Sequence, residues 1–332
     1  MGTNSHRPTI KSQEPNIPPL PQALSSQALK GLIFSQKVAK IELYSWYVNS
    51  YSMTTAFFFA PWINRMRKSL LIREAANFVR CYPEWKSTET RWKRPLLGFA
   101  MAQDSLFYQI KKWVRSTHAM PRDLLPSAKS VISFFLPFEN RIHRENAEEH
   151  FYASRSWAVA YIETNSLIRD LGEHLKAFLE KEGFRTVLTP ATHNYEPEVL
   201  VSDWSHRHVA YVTGLGRLGL NNWLITDKGC CGRLGTLVTE AIFRPSVRPT
   251  REFCLARDGH ACSACLSRCV YGALSRDGFD RFACNRQLLK NDAHFRDLQT
   301  TDVCGKCGCN LPCSVANPVA KLRSRARKMA KL

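Results

Sequence analysis

The chain has 332 residues, of which 44% are hydrophobic, and its 47 Lys and Arg outnumber 28 Asp and Glu to give a formal net charge of +19. This length and apolar fraction are typical of globular proteins and exclude a chain that is disordered throughout. No apolar run approaches the roughly 20 residues of a membrane-spanning helix, and the polar, proline-rich start lacks the pattern of a secretory signal. We therefore expect a cytoplasmic protein with no membrane partner.

In chain order, residues 1–65 are predicted to be a poorly structured extension. Apolar residues at helical spacing predict a helix in the segment that begins at Met66, and the apolar run over residues 130–138 predicts a buried strand. A long helix is predicted over about residues 147–183. Further strands are predicted over residues 185–189, 223–226 and 234–243. Because helices and strands alternate, the middle of the chain is predicted to be α/β.

A glycine segment in this region matches the G-x-G-x-x-G pattern of dinucleotide-binding loops, with Gly214, Gly216 and Gly219 at the three positions. Such a loop opens a helix, whose free N–H groups hold the pyrophosphate. Here the stretch LNNWLITD follows, and its pattern indicates a strand. The segment therefore favours a loop that shapes another kind of pocket.

The cysteines are unevenly distributed, since nine of the 12 fall within the 60 residues from 254 to 313. Cysteines that pack in a core behave as small hydrophobes and scatter along a chain. Disulfides belong to exported proteins, and this chain shows no export signal. Metal ligation is therefore favoured. Zinc would suit the two C-x2-C pairs, but a zinc ribbon leaves Cys254, Cys269, Cys284 and Cys313 without a role.

An iron–sulfur interpretation uses eight of the cysteines. In two-cluster ferredoxins, a C-x2-C-x2-C-x3-C run gives its fourth cysteine to the other cluster. Cys262, Cys265 and Cys269 match the last three positions, and Cys254 replaces the first. The crossing rule then predicts two [4Fe–4S] clusters, one held by Cys254, Cys262, Cys265 and Cys313 and the other by Cys269, Cys284, Cys304 and Cys307. Cys309 is left as an unligated thiol, and zinc or a single cluster remains the alternative.

Several stretches together resemble the short epoxyqueuosine reductase-like iron–sulfur proteins, which are relatives of reductive dehalogenases. These stretches are WKRPLLGFAMAQDSLF, MPRDLLPSAKSVISFFLPF, YVTGLGRLGLNNWLITDKG, CLARDGHACSACLSRCVYGAL and CGKCGCNLPC. The resemblance covers about residues 66–318. The eight-residue step from Cys254 to Cys262 and the distant Cys284 both occur in that family, which makes the resemblance specific.

The resemblance implies a nitroreductase-like α/β core that binds cobalamin over residues 66–250. This core would be followed by a ferredoxin-like domain with two [4Fe–4S] clusters over residues 251–318 and by a basic tail over residues 319–332. Electrons would pass from an external donor of the ferredoxin or flavodoxin type through the clusters to cobalt, for reduction of an epoxide of a tRNA nucleoside or cleavage of a carbon–halogen bond. In the family the glycine segment lines the corrinoid pocket, which here maps to Gly214, Leu215, Gly216, Gly219, Asn222, Leu224 and Ile225.

The chain departs from the family pattern in two places. Val270 stands where a proline usually follows the fourth cysteine, and the proline is not a ligand. Epoxyqueuosine reductases also carry an aspartate a few residues after a Tyr-Ala pair, and the similar stretch over residues 152–157 has no carboxylate. Since the reduction needs an acid, we expect Tyr161, Tyr152 or His150, on one predicted helix, to donate the proton, or else to be packing residues of that helix.

The positive charge is concentrated in two places. Residues 65–115 hold twelve Lys and Arg against four Asp and Glu, with tryptophan and tyrosine between them, and the last twelve residues contain six Lys and Arg. Basic residues interleaved with aromatic ones suit the phosphates and bases of tRNA. A basic face can equally steer an acidic electron donor.

The sequence thus predicts a cobalamin-dependent iron–sulfur oxidoreductase of tRNA processing, related to queuosine biosynthesis. The missing aspartate favours an alternative, a ferredoxin-type electron-transfer protein that serves a partner enzyme, whereas the intact glycine segment favours the reductase. A nucleic-acid-binding module with structural clusters is a third hypothesis.

Overall fold

The computed structural model describes residues 66–190 and 195–329, which all belong to one compact unit. The extension predicted over residues 1–65 lies outside the described residues. The α-helices are α1 (Lys68–Lys86), α2 (Leu106–Trp113), α3 (Pro121–Leu124), α4 (Asn140–Glu148), α5 (Arg155–Lys181), α6 (His206–Val212), α7 (Ala264–Ser267), α8 (Arg281–His294) and α9 (Pro318–Met329). The strands are β1 (Leu96–Met101), β2 (Ser130–Pro137), β3 (Thr186–Leu188), β4 (Tyr195–Glu196), β5 (Val201–Ser202), β6 (Gly216–Leu218), β7 (Leu224–Thr226) and β8 (Gly232–Thr239).

The centre of the fold is a four-stranded sheet in the order β1-β2-β8-β3, with every neighbouring pair antiparallel. All eight residues of β2 are buried. A strand covered on both faces has no polar side, which is why β2 appears in the sequence as an unbroken apolar run. The strand predicted over residues 130–138 is confirmed, and so is the mixed α/β character of the chain.

The core of this region lies between the sheet and the helices α1 and α5. Leu71 and Val79 of α1 and Leu171 and Leu175 of α5 are at most 2% exposed and belong to one apolar cluster with residues of the sheet. At the edge of this core, the Tyr82 hydroxyl donates to Asp170 at 2.9 Å. Burial and the Asp170 carboxylate together raise the pKa of Tyr82. The helix predicted after Met66 is therefore confirmed, and it extends to Lys86.

The long helix predicted over about residues 147–183 is confirmed as α5, but its predicted start is wrong, because residues 149–154 separate α5 from α4. Ser154 caps α5, since its Oγ accepts from the Trp157 N–H at 3.2 Å. The buried Asn146 side chain accepts from the Ser154 N–H at 2.9 Å. Lys306 Nζ donates to the carbonyl oxygens of Asn146 and Glu149, both at 2.6 Å. Contacts with a distant part of the chain thus hold this break in place.

The glycine segment forms a hairpin of β6 and β7, and the next element is strand β8. A Cβ atom at Gly216 would lie 2.0 Å from the Ile225 carbonyl oxygen, so the close approach of the two strands requires glycine there. The prediction that no helix opens after this segment is confirmed.

The cysteine-rich part of the chain contains two short helical segments, α7 and a 3-10 turn over Lys306–Gly308, together with α8 and α9. It packs closely on the sheet-containing part, for example where Asn221 Nδ2 donates to the Cys307 carbonyl oxygen at 2.8 Å. The boundary between residues 250 and 251 stays a prediction. Within the described ranges, no helix has both the length and the apolar character needed to cross a membrane.

Candidate metal and cofactor site

Two cavities lie at the junction of the sheet and the cysteine-rich part, and the eight predicted ligands line them as two sets of four. Cys254, Cys262, Cys265 and Cys313 line the smaller cavity, and we name this set site one. Cys269, Cys284, Cys304 and Cys307 line the wall of the larger cavity, and we name this set site two. The structure thus brings together the same two sets that the crossing rule predicts.

Site one has an apolar environment. The other residues of its wall are leucine, isoleucine, alanine and proline together with Asn221. Burial, followed by the neighbouring thiols of Cys313, Cys254 and Cys262, raises the pKa of Cys265 to about 11. The pKa of Cys313 is also raised, first by its hydrogen bond with Cys230 and then by burial. The other three thiols of site one are therefore close enough to Cys265 to affect its pKa.

Site two has cations beside its thiols. Burial and then the thiols of Cys304 and Cys269 raise the pKa of Cys284 to about 11, while the Arg207 guanidinium acts in the opposite direction. Burial raises the pKa of Cys304, and the backbone N–H and the charge of Lys306 lower it. Lys306 is 2% exposed. This lysine is therefore a buried cation next to site two.

The thiols fit a cluster better than they fit one ion. Within residues 66–190 and 195–329, no three His, Cys, Asp or Glu side chains converge as ligands of a single metal ion do. A [4Fe–4S] cluster takes four cysteines around a larger inorganic core, and each set of four thiols surrounds or borders a cavity. A bound metal also deprotonates its thiol ligands, which compensates for the raised pKa values of these buried groups. The residues present therefore fit two clusters.

The larger cavity has a volume of about 510 Å³ and lies against site two. This volume is within the range of small-molecule and cofactor pockets, about 300–1,000 Å³. Its wall is mainly aromatic and apolar, including Phe135, Trp157 and Trp223, with a few polar groups among them. One of these, Arg233 Nε, is buried without a hydrogen-bond partner. A cavity with this lining fits a large, mostly apolar cofactor that carries polar substituents.

Tyr161 reaches this cavity from α5. Its hydroxyl donates to Asp302 Oδ1 at 2.5 Å. The Arg233 guanidinium carbon lies 4.3 Å from the centre of the Tyr161 ring. A hydroxyl, a carboxylate and a guanidinium thus meet at one place on the cavity wall.

The other two predicted proton donors lie elsewhere, and the expectation that all three share a helix is wrong. Tyr152 and His150 fall in the break between α4 and α5. Tyr152 stacks on His294 with ring centres 4.0 Å apart, in a shallow surface depression. His150 is exposed. Of the three, only Tyr161 lines the larger cavity.

The predicted corrinoid residues divide into two groups. Asn222 and Leu224 line the larger cavity. Ile225 belongs to the wall of site one. The other four predicted residues, Gly214, Leu215, Gly216 and Gly219, line neither cavity. A Cβ atom at any of the three glycines would meet a neighbouring chain segment, and Leu215 packs with Phe135 and Leu224. The segment thus contributes side chains to both cavities.

Sequence reasoning missed four charged residues of the site: Arg207, Arg233, Asp302 and Lys306. Three of them stand in segments without a recognisable motif. Lys306 lies inside the Cys304-x2-Cys307 pair, which is the one signal that could have drawn attention to it. Asp302 supplies a carboxylate beside Tyr161 where the sequence near Tyr152 has none.

No protein-family model and no curated protein matches the chain. Solved structures with a similar arrangement include epoxyqueuosine reductases from Streptococcus thermophilus and Bacillus subtilis, at 18% and 19% identity and TM-scores of 0.49 and 0.46. The matched regions span 76% and 73% of this chain and 68% and 66% of the two reductase chains, respectively. One epoxyqueuosine reductase structure contains an epoxyqueuosine-modified tRNA stem loop. A catabolic reductive dehalogenase with 3-bromo-4-hydroxybenzoic acid matches at 13% identity and a TM-score of 0.43, over 69% of this chain and 31% of its own.

Proposed function

We propose that this chain is an iron–sulfur reductase that holds one [4Fe–4S] cluster at site one and a second at site two. The observation that carries this proposal is the grouping of eight cysteines into two sets of four around two neighbouring cavities. An electron carrier needs only its clusters. The larger cavity beside site two, with Tyr161 and Asp302 in its wall, favours an enzyme with its own substrate chemistry over the electron-transfer alternative.

The cofactor that we propose for the larger cavity is cobalamin, with Asn222, Leu224 and the aromatic wall as its contacts. When bound, cobalamin supplies two-electron reduction of carbon–oxygen or carbon–halogen bonds. The chain itself then has three tasks, which are to deliver electrons through site two, to exclude water with the aromatic side chains and to supply a proton.

We assign the proton to Tyr161. Its hydroxyl lies at the cavity wall and donates to Asp302, so this hydrogen bond has to be exchanged for one to the substrate before the proton leaves. The Arg233 guanidinium beside the ring stabilises the negative charge that remains on the oxygen once the proton leaves. Asp302 positions the Tyr161 hydroxyl, and the proton that Tyr161 gives up is replaced from solvent. Positioned acids of this kind contribute roughly 10²–10⁴-fold to a rate.

For the substrate we propose an epoxide of a tRNA nucleoside or a related reductive elimination. A tRNA substrate accounts for the basic segment over residues 65–115, where tryptophan and tyrosine stand between the cations. Retention of labelled tRNA at increasing salt tests this part of the proposal, because phosphate contacts weaken steeply as salt rises.

The test of the whole proposal is anaerobic reconstitution with iron, sulfide and cobalamin, followed by iron analysis, absorption and EPR spectroscopy. We expect about eight irons per chain and retained cobalamin. Eight irons without cobalamin would support the electron-transfer alternative. Tight binding of zinc in place of the clusters would overturn the proposal.

A further inference from the structure

Helix α9 carries a concentrated positive charge and no acidic residue within its bounds. Arg323 and Arg327 lie one turn apart on it, and together with Arg251 they line one shallow groove. We name these three arginines the basic face. All three are exposed.

The basic face lies next to site one. Pro318, the first residue of α9, is part of the same cavity wall as Cys313 and Cys254. Arg323 also forms an ion pair with Asp258 at 3.6 Å. Asp258 is in the loop that joins two ligands of site one, and its backbone N–H donates to the Cys254 carbonyl oxygen at 2.9 Å. The helix is thus attached at its start and along its length to the segment that surrounds site one.

We propose that the basic face is the docking surface for an acidic one-electron carrier protein of the ferredoxin type, which delivers electrons to site one. This inference rests on the proposed function, since it requires a cluster at site one. In each encounter the carrier's iron–sulfur centre is oxidised by one electron, and the cluster of site one is reduced by that electron. No proton or other group is transferred in this step.

Charge and chemistry favour a protein carrier over RNA at this place. Proteins that bind single-stranded RNA stack its bases on aromatic side chains, and α9 contains no aromatic residue. Tyr161, which a substrate has to reach, lines the larger cavity instead. Exposed arginines attract an acidic partner over several ångströms and raise the rate of encounter. Electron transfer also falls off steeply with distance, so a carrier has to dock beside the first cluster.

The experiment compares three reconstituted full-length proteins. One is the wild type, one is the triple variant R251Q/R323Q/R327Q of the basic face, and one is the control variant R122Q/K129Q/K181Q, which removes the same charge from exposed positions outside residues 65–115. Stopped-flow absorption follows cluster reduction by a chemically reduced acidic ferredoxin at several salt concentrations. Reduction by dithionite and iron content show whether each protein is intact, and filter binding measures tRNA retention.

We expect the basic-face variant to lose tenfold or more of the second-order rate at low salt, together with most of the salt dependence. The control variant should keep both, and dithionite should reduce all three proteins equally. Equal rates of reduction by ferredoxin for the wild type and the basic-face variant would overturn this inference alone. A loss of tRNA retention in that variant only would overturn it as well and would assign the basic face to RNA. Failure of the wild type to assemble clusters would overturn the proposed function and this inference with it.

Discussion

Site one and site two each consist of four cysteines, but the residues around the two sites differ. Site one has an apolar wall and lies under the start of the basic helix α9. Site two borders the larger cavity and has Arg207 and Lys306 beside its thiols. The potential of a cluster depends on nearby charge, hydrogen bonds to sulfur and exposure. Under the proposed function, clusters at the two sites would therefore differ in potential, and the cations at site two would favour transfer of electrons from site one to site two.

The largest expected effect comes from removing one ligand of each site. Cys265→Ser and Cys307→Ser should each lose one cluster, about half of the eight irons, and each should keep the other cluster. Iron and sulfide analysis after anaerobic reconstitution measures this, with Cys81→Ser on α1 as the control that keeps all the iron. Full iron content in either ligand variant would contradict the assignment of that site.

The next effect concerns the cavity at site two. Tyr161→Phe should lower the rate of substrate reduction by roughly 10²–10⁴-fold because the proton donor is lost, while iron content stays unchanged. Single-turnover reduction of an epoxyqueuosine-containing tRNA stem loop measures the rate. Tyr152→Phe is the matched control, since Tyr152 lies in a surface depression, and a larger loss there than at Tyr161 would contradict the assignment.

A smaller effect, on the free energy of unfolding, is expected from replacing one glycine near each site. Gly305, at site two, has φ +74°, and a Cβ there would lie 2.2 Å from the Trp157 ring. Gly305→Ala should therefore cost about 2–5 kcal/mol, from the left-handed backbone and the overpacking together. Gly259, in the loop of site one, has φ +87° with open space around it, so Gly259→Ala should cost about 1–2 kcal/mol. Denaturant midpoints rank the two, and equal losses would show that the Trp157 contact contributes nothing.

Lys306→Met tests the charge difference directly. Loss of a buried cation disfavours the electron that reduction adds to the cluster of site two. At a fixed potential, the ratio of reduced to oxidised cluster should therefore fall about tenfold, which corresponds to a decrease of about 59 mV in the one-electron reduction potential. An EPR-monitored redox titration measures both clusters, and site one serves as the internal control. An unchanged site two, or an equal shift at both sites, would show that Lys306 acts only as a support for residues 146–149.

The smallest expected effect lies in the sheet, away from both sites. Hydrogen bonds from Arg185 and Ser127 hold the pKa of Glu240 at about 2, below its ordinary 4.5. Because the folded-state pKa is lowered, this contribution to stability is complete above about pH 4.5 and is lost as the pH falls towards 2. The ion pair of Glu240 with Arg185 is at the surface, so its contribution to the free energy of unfolding is small. The difference in denaturant midpoint between wild type and Glu240→Gln should shrink across this window, and a constant difference would contradict the prediction.

The spacing of apolar residues along the chain predicted the helices and strands in which buried positions recur at regular intervals. The run that became β2 is apolar throughout because both of its faces are covered, and the helix after Met66 shows its buried face at every turn. Strand β1 was not predicted, since Gly98 interrupts its apolar run. That glycine is required by a tertiary contact, because a Cβ there would lie 2.6 Å from the Thr213 carbonyl oxygen. The break between α4 and α5 was missed for a similar reason, as Lys306 from a distant segment holds it.

The two sets of four cysteines were predictable from the sequence, because the proposed ligands come from short, spaced runs, and spacing is a property of the chain. The sequence also determined the mixed α/β character through the alternation of patterns. The packing of distant segments places Tyr161 at the cavity and the other two candidate donors elsewhere. It also brings four charged residues to the cavity wall, namely Arg207, Arg233, Asp302 and Lys306. These side chains come from separate segments, and their proximity depends on packing between the sheet and the cysteine-rich part, which no local pattern encodes.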